Sequence, residues 1–169
     1  MGITLYEISI PAFRRGLTNL AGLLDKAAAH AAAKNFDPTV LAQTRLFPDM
    51  FPLSRQIQTA CDTAKGAAAR LAKIEIPKHE DTETTLPELK TRIQKTLDFI
   101  QTVTRAQLEG AEGREVVLTF PSNSLKFTGL SYVTDFALPN FYFHVTVSYA
   151  LLRASGVEIG KRDFLGAIQ

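Results

Sequence analysis

Cysteine is nearly absent from this 169-residue chain: Cys61 stands alone, so no intrachain disulfide can brace the fold. Its neighbours are small and apolar on an expected helix, where a thiol packs as a small hydrophobe. It lacks the cationic surroundings that activate a thiolate, and the adjacent Asp62 works against ionisation, so redox or nucleophilic chemistry is not expected of it. Apolar runs of bilayer-spanning length are missing too, since charged or strongly polar residues interrupt each one. The opening MGITLYEISIPAF has no basic segment ahead of an apolar core and does not read as a secretory signal. Tyr6 occupies the position where N-myristoylation requires Ser or Thr. Charge of one sign is also scarce. The formal net charge is +2, and the densest basic cluster, Lys161-Arg162, is followed at once by Asp163. Neither nucleic acid nor a membrane surface is therefore an expected partner, and a cytoplasmic protein is the expectation.

What is present is ordinary for a globular domain: 46% hydrophobic and 21% charged residues, in a length that suits one domain over residues 1–169. From about Thr4 to Lys34 the apolar residues Phe13, Leu17, Leu20, Leu24 and Ala28 recur at helical spacing, with Pro11 marking a kink or the true start. The proline-rich stretch NFDPTVLAQTRLFPDMFP predicts a structured connection with at most a short helical turn. A second helix is expected from about Pro52 to Ala72, buried through Leu53, Ile57, Ala60, Ala64 and Leu71. The polar linker KIEIPKHEDTETT is long for a hairpin between neighbouring helices and suits a crossover along a bundle; its His79 is expected in solvent. A third helix runs from about Pro87 to Val103, with Thr85 as N-cap and Glu88 completing a capping box. REVVLTFPSNSLKFTG alternates as a small β-hairpin. A fourth helix is expected from about Leu130 to Ala154, broken or restarted at Pro139 and stopped near Gly156, with Ile159 and Phe164 docking the tail. The architecture expected is all-α: a four-helix bundle with a small β-hairpin before the last helix.

The last helix is apolar nearly all round, which makes it central or part of a homodimer face. Within it Asn140, His144 and Ser148 lie one turn apart and form a polar ridge. Three readings of His144 stay open on these residues. A neutral imidazole can hydrogen-bond across the core. A metal can be held by His144, Asn140 and a donor from another helix, although Asn140 stands where a strong site would want histidine. A metal-free pocket can be lined by His144, Asn140 and aromatic rings. His30 and His79 show no motif spacing with His144, and neither do Asp49, Asp62 and Asp135.

The segments PDMFPLSRQIQTACDTAKGAAARLA and FALPNFYFHVTVSYALLRASGVEIGKRDFLG resemble an uncharacterised bacterial family, a domain of unknown function grouped with the DinB/YfiT-like metalloenzyme superfamily. The resemblance extends over essentially the whole chain. It implies an up-down-down-up DinB-like four-helix bundle with a long crossover between the second and third helices. Metal-binding members of that superfamily place one histidine on the second helix and a His-x-x-x-His pair on the fourth. Anchored on Leu151 to Gly156, those positions become Gln56, Asn140 and His144, of which His144 alone keeps the pattern. Neutral amide oxygens are weak partners for a zinc-like ion, so the metal site is degenerate and no cofactor is expected; a divalent metal at His144 is the less favoured alternative. Relatives that use their metal to activate a thiol cofactor imply a transferase or isomerase, chemistry that the missing ligands do not support here. Arg45, Asp49 and Tyr142 are candidates to line the same cavity. The expectation is a homodimeric bundle that binds a small molecule near His144. The alternatives are a metal- and thiol-dependent enzyme and a purely structural or interaction protein.

Overall fold

The chain is described by a computed structural model covering residues 2–167; Met1 of the opening segment and the Ile168-Gln169 end of the tail lie outside it. The elements are α1 (Leu5–Lys34), a single turn α2 (Thr39–Ala42), α3 (Leu53–Ala72), α4 (Leu86–Gln101), the antiparallel hairpin β1 (Glu115–Thr119) and β2 (Ser124–Thr128), α5 (Gly129–Ser131), a π-helical segment Tyr132–Ala137, α6 (Leu138–Ala154) and α7 (Lys161–Leu165).

Local chemistry sets most of these boundaries. The first helix begins ahead of Pro11, because Thr4 caps the Glu7 amide while the Glu7 carboxylate accepts from Thr4 N at 2.9 Å. Thr85 and Glu88 form the expected box at the start of α4. Pro139 has no N–H to close the turn before it and its ring crowds the preceding carbonyls. The segment Tyr132–Ala137 accordingly opens into a π-helix, and α6 starts afresh with Pro139 in its first turn. Gly156 ends the last long helix at φ +86°, a left-handed value that suits glycine. The tail docks as expected: Ile159 is buried, Phe164 packs edge-on to Tyr149, and Asn19 Nδ2 donates to the Phe164 carbonyl at 2.9 Å.

Side-chain partners give the direction of each helix. Lys90 meets Asp25 at 2.5 Å and Arg105 meets Glu7 at 2.7 Å, so α4 runs antiparallel to α1. Gln56 faces His144 and Thr63 faces Asn140, so α6 runs antiparallel to α3. Phe13 packs edge-on to Phe141 while His30 lies beside Gly156, so α6 runs parallel to α1. The order is up-down-down-up. Gly16 lets α1 approach α6 closely, since a Cβ there would lie 2.5 Å from the Phe141 ring. On α3 the run of small residues Ala60, Ala64 and Ala67 to Ala69 is fully buried. Each buried Leu, Ile or Phe of the core contributes roughly 1.5–3 kcal/mol through apolar area removed from water. Tyr142 and Phe143 on α6 keep 38% and 55% exposure, so that helix is not enclosed on every side.

The crossover between α3 and α4 is held by charge. Lys73 turns the chain out of α3 at φ +53°. Farther on, the buried Arg92 of α4 reaches Asp62 at 2.8 Å, Asp81 at 3.1 Å, Glu83 at 3.1 Å and the Glu80 carbonyl at 3.1 Å. Lys65 adds a second cation to Asp62 at 2.8 Å, Arg55 pairs with Asp81, and Gln58 donates to Glu83 at 2.9 Å. His79 is half-buried in this network rather than in solvent, and burial, with Lys65 and Arg92 nearby, holds its pKa below the ordinary value. Burial works to raise the pKa of Asp81, but the Arg55 and Arg92 guanidiniums outweigh it and lower the carboxyl below its ordinary 3.8. Its stabilisation is therefore present above that pH and lost as pH falls through the lower folded value. Replacing Arg92 by Met should destabilise the protein toward the lower end of roughly 3–5 kcal/mol, because Asp62 and Asp81 retain some access to water. Urea midpoints at an unchanged slope are the measurement.

Candidate functional site

The polar ridge of α6 faces α3, and the two helices meet through amide, imidazole and hydroxyl groups. His144 and Gln56 are buried, and His144 Nδ1 lies 2.7 Å from Gln56 Oε1. The identity of each atom follows from its partners. Gln56 Nε2 donates to the Phe51 carbonyl at 3.2 Å, which turns Oε1 toward the ring. An amide oxygen only accepts, so Nδ1 carries the proton and His144 is the Nδ1–H tautomer. Burial, aided by the positive charge of Arg55, lowers its pKa from the ordinary 6.5, which favours the neutral ring. The Ser148 hydroxyl donates back to the His144 carbonyl at 2.8 Å and takes no part in binding the ring.

Asn140 points elsewhere. Its Nδ2 donates to Thr63 Oγ1 at 2.8 Å, and Thr63 in turn donates to the Thr59 carbonyl at 2.8 Å. The structure thus brings Gln56 and His144 together and sends Asn140 to a neighbouring point on α3. The other candidates lie apart from that pair. Tyr142 is on the opposite side of α6, where it borders a small cavity of about 110 Å³ with Arg15, Asn19 and Phe164. Arg45 is exposed and donates to the Met50 carbonyl at 2.5 Å, bracing its own loop, and Asp49 is exposed in the same loop. No ion pair joins the two among the described residues.

The donors do not suit a divalent cation. His144 keeps an Nε2 lone pair free among the described residues, but the Gln56 oxygen accepts from its Nδ1–H and the Asn140 amide is turned to Thr63, so one imidazole nitrogen stands without the further strong ligands a zinc-like ion needs. Among the described residues no group of three or more His, Cys, Asp or Glu side chains could hold a metal. Cys61 is fully buried, and burial pushes its thiol pKa up to about 12, so it is not a nucleophile either.

Asn140 does border a cleft of about 230 Å³, which opens where the start of α6, the π-helical turn and β1 stand off from α3. Thr63 and Arg70 of α3, Phe120 after β1, and Tyr132 and Phe136 of the π-helical turn line it. Arg70 Nη1 lies 3.3 Å from the Tyr132 hydroxyl. Tyr132 is itself buried, and burial raises its phenol pKa against the opposing Arg70 charge, so it stays protonated at neutral pH. Apart from Asn140, these residues were missed by sequence reasoning. One signal was present: Arg70 is the lone cation in the small, buried run GAAAR, where an unpaired guanidinium needs a reason.

The chain is similar over residues 5–165 to a family described as a domain of unknown function (DUF1993). It is also similar to the crystal structure of a DinB family member protein from Shewanella denitrificans, at 41% identity and a TM-score of 0.89, covering 97% of this chain and 93% of that one. No curated protein matches it.

Replacing Gln56 by Leu keeps the side-chain size but leaves a buried Nδ1–H without its acceptor, and should destabilise the protein by roughly 1–3 kcal/mol in urea unfolding. The pH dependence has a definite sign. The unfolded His144 takes up a proton near 6.5 while the folded ring resists it, so stability falls as pH drops below 6.5. His144→Leu should make that fall shallower, with the residual slope coming from His79 and the carboxylates.

Proposed function

The chain belongs to the DUF1993 family, a DinB-like group of helical bundles, and we propose that it binds a small molecule without a metal, in the cleft bordered by Asn140. The observation that carries this reading is the convergence of hydrogen-bonding groups from Thr63, Arg70, Tyr132 and Asn140 around one concave space floored by aromatic rings. Such a mixture of apolar walls and a few placed polar groups is what orients a ligand. His144 lies one helical turn farther along α6, and its bond to Gln56 fixes the spacing of α3 and α6 behind the cleft. Its role is to hold the wall rather than to touch the ligand. At about 230 Å³ the space is smaller than the roughly 300–1,000 Å³ of sites for drug-sized ligands, so the ligand is small.

The proposal includes a homodimer, supported by the exposed Tyr142 and Phe143 rings on α6. A solution mass equal to one chain would remove that part.

Amide NMR spectra of tag-free protein, titrated with a set of small polar and aromatic fragments, test the binding reading. Resonances of Thr63, Phe120, Phe136 and Asn140 should shift together, and His144→Leu, which removes the bond that spaces α3 and α6, should weaken those shifts without abolishing them. The reading fails if a stoichiometric transition metal copurifies and is lost in His144→Ala. It fails equally if low-molecular-weight thiols stabilise the protein only when zinc or nickel is added, as a thiol-dependent transferase requires.

A further inference from the structure

The cleft holds a cation that the rest of the protein leaves without a counter-charge. Three interior and linker cations are matched by carboxylates, Arg92 with Asp62, Asp81 and Glu83, Lys65 with Asp62, and Arg55 with Asp81, while the half-buried Arg114 donates to the Leu71 and Gln107 carbonyls. Arg70 is half-buried and pairs with no carboxylate among the described residues; its one polar partner is the Tyr132 hydroxyl. Asp62, the acid on the cleft wall, offers little opposing charge because Arg92 and Lys65 both sit on it at 2.8 Å. The cleft therefore carries net positive character at its Arg70 end.

The guanidinium is also given room. A Cβ at Gly66 would lie 2.4 Å from Arg70 Nη1, so glycine there lets the side chain fold back along α3 toward the cleft instead of extending to solvent. The Tyr132 hydroxyl accepts from Arg70, and its own proton has no acceptor among the described residues. Two donors thus stand side by side without an anion. Beyond them lie flat apolar surfaces: Phe136 stacks on Tyr132 at 6.1 Å with 16° between the planes, and Phe120 stays 40% exposed at the hairpin end.

We propose that the cleft takes a small monocarboxylate with a planar aromatic or unsaturated body, its carboxylate bound by Arg70 and the Tyr132 hydroxyl and its body laid against Phe136 and Phe120. The Thr63 and Asn140 groups at the far wall then suit a single polar substituent on that body. This inference rests on the proposed binding role of the same cleft and adds the charge and shape of what enters it. A charge-assisted pair of donors is the part of the site that discriminates, since stacking alone accepts any flat ring.

Benzoate and its uncharged isostere benzamide are the probes, titrated into the full chain and followed by amide NMR at millimolar concentration. Benzoate should shift the cleft resonances and bind about tenfold more tightly than benzamide. Arg70→Gln should weaken benzoate by about tenfold and leave benzamide unchanged. Tyr132→Phe removes only the hydroxyl and keeps the packed ring, so it should weaken benzoate severalfold even if Arg70→Gln perturbs the fold. Equal affinities for the two probes in the cleft, or benzoate binding indifferent to both substitutions, would overturn the carboxylate inference while leaving the cleft as a binding site. Shifts confined to other surfaces, or none with either probe, would overturn both.

Discussion

The hydrogen bond from His144 Nδ1 to Gln56 Oε1, buried between α3 and α6, fixes the register on which the rest of the site depends. In an antiparallel helix pair a matched contact at one level determines what can meet at the next. With Gln56 opposite His144, Asn140 comes opposite Thr63, and their 2.8 Å bond closes the second level. Beyond that level the π-helical turn ahead of Pro139 carries the chain away from α3, and the space so opened is the cleft. The polar ridge of α6 thus divides into two kinds of position. His144 is consumed in holding two helices together, whereas Asn140 stands at the edge of a space that a ligand can enter.

The same bond gives Gln56 and His144 a structural task that needs no metal. An imidazole donating from Nδ1 to a glutamine oxygen is neutral and has its N–H partnered, while a protonated ring in that place would face both desolvation and the Arg55 charge. The cations around the crossover are managed by pairing. The Arg92 network ties the crossover to α3 and α4 through carboxylates that are partly open to water, so the parallel arrangement of those two helices is secured by charge as well as by packing. Against that background the unmatched Arg70 is conspicuous, because it is one guanidinium lining a cleft with a free phenol proton beside it.

Much of the bundle was legible because its signals are local. The Thr85–Glu88 capping box, the helical spacing of the apolar residues and the alternation of the hairpin each act within a few residues. The π-helical turn was legible only as a break at Pro139, since the sequence marks where a helix is disturbed and not how the backbone absorbs it. The pairing of Gln56 with His144 was reached through family resemblance, as no spacing rule joins residues 88 apart. The Arg92 network was beyond reach for a related reason: its acids lie 30, 11 and 9 residues away, and a polar linker reads as solvated until tertiary packing folds it back. Tyr142 could have been placed better. Two residues along a helix is more than half a turn, so it could not share the face of His144.

The central claim is that His144 is a neutral, Nδ1-protonated ring engaged with Gln56 and uncommitted to a metal. Nitrogen-15 NMR of the imidazole measures this directly. The account predicts a protonated Nδ1 and a bare Nε2, retained below pH 6.5 and unaffected by added zinc. A ring that is protonated on Nε2, that titrates at or above 6.5, or whose nitrogen shifts move stoichiometrically with zinc would contradict it.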